Sequence, residues 1–110
     1  MHANERRKLH KRALQRANTF VDMKKAVKLF EAGNEEAFKA LIADLVTLKN
    51  GDLWIGKNSF KYVISATEGE DTVYSIFKYG KEKEIQRVED PEDVKIVVAL
   101  KKAIFKFINY

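Results

Sequence analysis

The sequence predicts a single α+β domain spanning residues 1–110, because helical and extended hydrophobic periodicities occupy separate parts of the chain. Apolar residues recur at helical spacing before Gly51 and again after Pro91, whereas they alternate between those positions. The length of 110 residues and the 45% hydrophobic content are those of one compact domain. We therefore predict N-terminal helices, a three- to four-stranded antiparallel β-meander and a C-terminal helix packed on the sheet.

The first predicted helix is basic and amphipathic. Asn4 is its expected N-cap, and Arg and Lys side chains cover most of its surface. Its apolar residues fall on one narrow face at steps of four, four and three: Leu9, Ala13, Ala17 and Phe20. Because a helix with so thin an apolar stripe is marginal in isolation, we treat residues 1–18 as a basic helical arm and residues 19–110 as the globular body.

The next segment predicts an αα-hairpin. Thr19 and Asp22 have the spacing of a capping box, which places them either at the start of a second helix or within a longer one. Helical apolar spacing continues to Gly33, a helix-terminating residue, and resumes after Asn34. The two apolar sets are Met23, Ala26, Val27 and Phe30 before the break, and Phe38, Leu41, Ile42 and Leu45 after it. The short connection between them favours a helix hairpin.

Clusters of β-prone residues after Gly51 predict the meander. Short segments that contain glycine separate them, as expected for hairpin turns. The clusters are Leu53–Ile55, Ser59–Ala66, Thr72–Tyr79 and Glu84–Val88. Asp90 and Pro91 then supply the N-cap and the first-turn proline of the C-terminal helix.

Aromatic residues in the predicted strands have two interpretations. Exposed rings on a sheet form a base-stacking platform in some RNA-binding proteins, whereas aromatic residues are also favoured in strands because they pack well. Since the sheet must bury one face on the helices, we predict that these rings belong to the core. They are Phe60, Tyr62, Tyr74, Phe77 and Tyr79. Trp54, the only tryptophan, is predicted to anchor the core or its rim.

The residues that usually carry chemistry are scarce. Without cysteine, the chain has no disulfide, thiolate ligand or cysteine nucleophile. The only histidines, His2 and His10, lie among cations at a spacing unsuited to metal binding, and no Gly-rich phosphate loop is present. The acidic clusters at 68–71 and 89–93 are explained by a hairpin tip and a helix cap. We therefore predict a protein that is not an enzyme and that binds no cofactor or metal.

Membrane and secretion signals are also missing from the sequence. No apolar run approaches the roughly 20 residues that span a bilayer. The basic N-terminus is not followed by the apolar stretch of a signal peptide. Together with the lack of cysteine, these features predict a cytoplasmic protein with no membrane partner.

The net positive charge is confined to the N-terminus. Residues 1–20 contain six Lys or Arg and one Glu, whereas positions 21–110 contain 15 basic and 15 acidic residues. A basic helix displayed by a neutral body predicts a small accessory or regulatory protein that binds the phosphates of nucleic acid, with DNA and RNA both open. The predicted contacts are Arg6, Arg7, Lys8, Lys11, Arg12 and Arg16, extended by Lys24, Lys25 and Lys28.

Alternatives to nucleic-acid binding remain open at this point. The second interpretation is a protein-interaction module, such as an inhibitor or adaptor encoded by a phage or mobile element, that uses the helices to bind an acidic or apolar partner surface. A solvated surface helix without any partner is the third interpretation. A homodimer is also compatible with the sequence.

The basic segment resembles the arginine-rich RNA-binding helices of phage antitermination peptides. The residues that carry this resemblance are Asn4, Arg6, Arg7, Lys11, Arg12, Arg16, Ala17 and Asn18. It implies a helix in the groove of a hairpin RNA, with Arg6, Arg7, Lys11 and Arg12 on phosphates. The stacking aromatic of that family has no counterpart here other than Phe20, and the resemblance covers only the first eighteen residues.

Overall fold

A computed structural model describes residues 3–108 and confirms the α+β class within that range. The helices are α1 (Ala3–Glu31), α2 (Glu35–Leu45) and α3 (Pro91–Ile108). The strands are β1 (Val46–Lys49), β2 (Asp52–Ile55), β3 (Phe60–Ser65), β4 (Val73–Tyr79) and β5 (Glu82–Arg87). They form one antiparallel sheet in the order β1-β2-β3-β4-β5.

Helix α1 is one continuous helix of 29 residues, so the helix does not break between the predicted arm and the body. Asn4 lies inside this helix and is not its cap. Thr19 is buried in the middle, where its hydroxyl donates a hydrogen bond to the carbonyl oxygen of Gln15 at 2.9 Å. Because a threonine hydroxyl can bond to the carbonyl four residues earlier, the capping-box spacing of Thr19 and Asp22 does not start a new helix here.

The buried face of α1 differs from the predicted one. Thr19, Met23 and Ala26 are buried, whereas Leu9 is 48% exposed and Ala13 and Ala17 are exposed. The apolar C-terminal half decides which side meets the body. Residues eighteen positions apart in an α-helix are five turns apart and point in the same direction. Lys8 precedes Ala26 by eighteen positions, and Arg12 precedes Phe30 by eighteen. The side of α1 that faces the body therefore carries Lys8 and Arg12 in its N-terminal half.

Five strands are present where three to four were predicted, because β1 was missed. The chain passes directly from α2 into β1 at Val46, whose backbone is extended. Leu48 continues the helical spacing of α2 in the sequence, which hides the change to a strand. Asn50 and Gly51, with φ of 54° and 78°, form the tight turn into β2.

The sheet has one face covered by helices and one open face. Alternation along β3 and β4 places Phe60, Tyr62, Val73 and Phe77 on the covered face, where they are buried with residues of all three helices. Phe60, Tyr62 and Phe77 are core residues, as the sequence predicts. Tyr74 points to the opposite side and is 44% exposed, so its assignment to the core is wrong. A period of two sends neighbouring residues to opposite faces, and aromatic content alone does not reveal the side.

Lys101 of α3 is buried and ties this helix to the β3–β4 loop. Its ammonium donates to the carbonyl oxygens of Thr67 and Glu70 at 2.7 and 2.8 Å and lies 3.3 Å from a carboxylate oxygen of Asp71. The acidic loop therefore has a structural partner inside the domain.

Candidate nucleic-acid interface

The basic residues of α1 divide into two groups according to the side of the helix that they occupy. On the body side, Lys8 lies 2.6 Å from a carboxylate oxygen of Glu82 and 2.8 Å from one of Glu84. Arg12 lies 3.6 Å from the other oxygen of Glu84 and donates to the amide oxygen of Gln86 at 2.9 Å. These bonds attach the N-terminal part of α1 to β5.

The match between α1 and β5 follows from their repeats. Four residues of helix advance about 6 Å, and two residues of strand advance about 6.8 Å. Successive turns of α1 therefore meet successive side chains on one face of β5. Two patterns in the sequence indicate this docking. Lys8 and Arg12 are four residues apart in the helix, and the acidic or polar residues Glu82, Glu84 and Gln86 are two residues apart in the strand.

Arg16 binds the buried carboxylate of Asp93 in α3. Its Nε and Nη2 atoms donate to the two oxygens of Asp93 at 3.0 and 2.8 Å, which is a bidentate arrangement. The hydroxyl of Tyr62 donates to the same carboxylate at 2.5 Å. Asp93 is 2% exposed and Tyr62 is fully buried, so the three side chains form one network at the junction of α1, β3 and α3.

This network changes the acidity of its members. Burial and the hydrogen bond to Asp93 both favour the protonated phenol, which raises the pKa of Tyr62 above its ordinary value of 10.0. Outside the network, the hydrogen bonds with Glu82 and Glu84 favour the charged ammonium and raise the pKa of Lys8.

The Tyr62 shift predicts a loss of stability in alkaline solution. Above pH 10 the phenol ionises in the unfolded chain but not in the folded one, so unfolding becomes more favourable as the pH rises. We expect Tyr62→Phe to lower the free energy of unfolding by about 1.5–3 kcal/mol at pH 8, because a hydrogen bond to a charged group is lost. The gap between the two proteins should then shrink by roughly 1.4 kcal/mol for each pH unit above 10.

Urea denaturation of both proteins between pH 8 and pH 11 measures this difference. The other tyrosines and the lysines titrate in both proteins, so the comparison isolates Tyr62. A gap that stays constant up to pH 11 would contradict the assigned role of the phenol.

The second group of basic residues lies on the solvent side of α1. All six members are exposed: Arg6, Arg7, Lys11, Lys24, Lys25 and Lys28. Lys11 lies at the border of this side, where its ammonium is 5.6 Å from the centre of the Tyr79 ring. Lys24 and Lys25 follow Arg6 and Arg7 by eighteen residues, so the two pairs share the same side of the helix at a separation of roughly 27 Å. We call these six residues the outward basic face.

The acidic residue of α1 nearest to this face is Glu31, which is exposed at the C-terminal end of the helix and lines a groove with Lys24 and with Glu92 of α3. Glu5 precedes the buried Met23 by eighteen residues and so points to the body side, and Asp22 lies 3.8 Å from Lys57. Leu14 and Val21, both more than half exposed, occupy the middle of the face. The outward basic face thus has cations at both ends and two apolar side chains, Leu14 and Val21, between them.

Other kinds of site have little support in the described part of the chain. Between residues 3 and 108, no three His, Asp or Glu side chains are grouped so that they could hold a metal ion. In the same range no helix is long and apolar enough to cross a membrane. His10 is exposed on α1, and His2 lies outside the described residues.

The candidate interface therefore consists of six of the nine predicted contact residues, displayed on a helix that the other three attach to the body. Comparison with known proteins adds no family to this picture: no family model matches the chain, and no curated protein or solved structure shows significant similarity to it.

Proposed function

We propose that the protein is a small non-enzymatic accessory or regulatory protein that binds the phosphates of double-stranded nucleic acid through the outward basic face. The observation that carries this proposal is the alignment of Arg6 and Arg7 with Lys24 and Lys25 on one side of a single helix. Six cations, with Glu31 and Glu92 as acidic neighbours beside Lys24 alone, leave that side with a net positive charge that is complementary to a polyanion.

The attachment of α1 to the body supports this function. Lys8, Arg12 and Arg16 are occupied by carboxylates and an amide, so we assign them to holding the helix and not to phosphate contact. A helix held in place presents its cations without a further loss of conformational entropy on binding.

The spacing of the outward basic face suits a duplex. B-DNA rises about 3.4 Å along its axis for each base pair, so a separation of roughly 27 Å between the two basic clusters corresponds to about eight base pairs of duplex length. The two arginines at one end can also make bidentate contacts with phosphate that lysine cannot copy. DNA and RNA duplexes both present phosphates over such a length, and we place the binding in the cytoplasm.

The test is duplex binding by neutralised variants at two or more salt concentrations. Labelled 20-base-pair DNA and RNA duplexes are titrated with the intact protein, with Lys24→Gln, Lys25→Gln and Lys28→Gln combined, and with the matching triple variant of Arg6, Arg7 and Lys11. We expect each triple variant to reduce the slope of log affinity against log salt concentration by about 3, since each phosphate contact contributes about 0.9.

The matched control neutralises three exposed lysines elsewhere, Lys81, Lys102 and Lys106. It should retain the slope of the intact protein, because those residues lie outside α1. Absence of salt-sensitive binding by the intact protein, or an equal loss in the control, refutes the proposal. Deletion of residues 1–18 is an unsuitable test, because it also removes Arg16 and leaves the carboxylate of Asp93 buried without its guanidinium.

A protein-interaction module is the second candidate, and the exposed Leu14 and Val21 favour it. These side chains lie between the basic clusters and would be buried by a groove that is apolar in the middle and acidic at its ends. Recovery of one stoichiometric protein partner after nuclease treatment, lost on Leu14→Gln and Val21→Gln substitution, would select this function over nucleic-acid binding.

A further inference from the structure

The open face of the sheet carries aromatic and basic side chains in an ordered array. Strand register places Trp54, Val63, Tyr74 and Arg87 in one row that crosses β2 to β5. The next row on the same face contains Lys61, Ile76 and Ile85, and the row beyond it contains Lys78 and Lys83. We call this surface the open face.

The shape of the open face is that of a shallow platform. Val63 and Ile76 are nearly buried and form its floor, whereas Tyr74 and Ile85 rise from it with large exposed areas. A groove of about 530 Å³ lies beside Val63 and Tyr74, bordered on its far side by the β3–β4 loop. Within their common row, Trp54 on β2 and Tyr74 on β4 are two strand spacings apart, which is about 10 Å.

The charge on the open face is strongly one-sided. Its strands contribute five cations, Lys49, Lys61, Lys78, Lys83 and Arg87. Among the strand residues that the structure describes on this face, Asp52 is the one carboxylate. The ammonium of Lys49 lies 5.4 Å from the centre of the Trp54 ring, so a cation already borders an aromatic surface.

We propose that the open face binds single-stranded nucleic acid, with bases stacked on Tyr74 and Trp54 and with phosphates paired to Lys78, Lys83 and Arg87. Aromatic rings on a sheet can stack only on unpaired bases, which excludes an intact duplex from this surface. The site is separate from the outward basic face, and neither proposal requires the other.

The distribution of charge sets the path of the strand. Glu70 and Asp71 border the groove beside Tyr74 and repel phosphates. Arg87 lies at the β5 end of the aromatic row, and Lys83 lies about 14 Å from it along β5. The phosphate backbone therefore follows β5 and the end of β4, while the bases point towards β2.

A second copy of this chain is a poorer occupant, because face-to-face association brings the five cations of each copy together, with Asp52 as the one carboxylate of each among the described strand residues of this face. An anionic membrane surface shares the preference for cations, but interfacial binding buries the apolar face of an amphipathic helix, whereas the open face is a sheet whose apolar floor, Val63 and Ile76, is already nearly buried. Trp54 is partly buried, and its Nε1 atom is enclosed without a hydrogen-bond partner in the structure. The flat array of rings and cations favours a single strand.

Trp54 is the only tryptophan in the sequence, so its fluorescence reports on this site alone. Unlabelled twelve-nucleotide oligo(dT) and oligo(U) are titrated into the intact protein. We expect saturable quenching that weakens with salt. Tyr74→Leu, which keeps an apolar side chain but removes the ring, should reduce affinity about tenfold because one stacked base is lost.

Variants that remove charge distinguish binding at the open face from binding at the outward basic face of α1. Combined Lys78→Gln, Lys83→Gln and Arg87→Gln should weaken binding and lower the salt slope by about 2, since a single-strand phosphate contact contributes about 0.7. The triple variants at Lys24, Lys25 and Lys28, and at Lys81, Lys102 and Lys106, should both retain quenching. Circular dichroism and thermal melting confirm that each variant is folded.

Three results would overturn the proposal. They are no quenching by either oligonucleotide, equal affinity of the intact protein and Tyr74→Leu, and a spectral shift with phosphatidylserine vesicles in the absence of any response to oligonucleotides. Quenching by single strands without duplex binding supports the open face and refutes the function proposed for α1. Duplex binding without quenching by single strands supports the function proposed for α1 and refutes the proposal for the open face.

Discussion

Arg16→Met should lower the free energy of unfolding by about 2–3 kcal/mol, which places it among the most damaging substitutions on the surface of α1. The substitution leaves the carboxylate of Asp93 buried with the Tyr62 hydroxyl as its remaining network partner. Removing one member of a fully buried pair costs about 3–5 kcal/mol. We expect less because the Arg16 side chain is 37% exposed and solvent screens its charge.

The matched control is Arg7→Met, which changes the same residue type on the exposed side of the same helix. It should alter stability by less than about 0.5 kcal/mol. Chemical denaturation followed by circular dichroism measures both variants. Equal stability of Arg16→Met and Arg7→Met would show that the carboxylate of Asp93 does not need its guanidinium.

A triple replacement tests whether the network is a cooperative unit. Arg16→Met, Tyr62→Phe and Asp93→Leu together remove every charge and hydroxyl of the network, so no buried polar group is left without a partner. Replacing a buried ionic network by apolar residues is often neutral. We therefore expect the triple variant to be more stable than Arg16→Met alone, and a loss equal to the sum of the single losses would contradict this.

Gly56→Ala should destabilise the domain by about 3 kcal/mol, through backbone strain and a steric clash. Gly56 follows β2 with φ of 149°, a value that residues with a side chain rarely adopt. A methyl group there would lie 2.4 Å from the carbonyl oxygen of Phe60, which belongs to the backbone of β3 and has little freedom to move.

Gly51→Ala provides the comparison, since Gly51 also has a positive φ but its side-chain position is open space. We expect a cost of about 1–2 kcal/mol there, from the backbone conformation alone. Thermal and urea denaturation of the two variants gives the difference that is due to the contact with Phe60. Equal losses at the two sites would mean that the loop after β2 moves to accept the methyl group.

Local patterns were sufficient for much of the fold. Gly33, with φ of 74°, ends α1, and the Asp90-Pro91 pair begins α3. The four β-prone clusters correspond to β2, β3, β4 and β5. These features depend on turn chemistry and side-chain periodicity over a few residues, which a sequence displays directly.

The candidate sites were less accessible from the sequence, because they depend on which side of an element meets the body. A basic helix reveals its total charge but not that Lys8, Arg12 and Arg16 face carboxylates of β5 and α3. The neutral count for residues 21–110 likewise conceals acidic residues gathered beside α1 and cations gathered on the open face. A net charge contains no information about position.

The sequence by itself determined the class of the domain, the order of most of its elements and the concentration of positive charge at the N-terminus. Tertiary structure decided how that charge is used, because the apolar C-terminal half of α1 fixes the rotation of the whole helix. That rotation pairs three cations with carboxylates and turns six towards solvent. It equally decided that Tyr74 lies on the open face, since a strand sends alternate residues to opposite sides and only packing shows which side is covered.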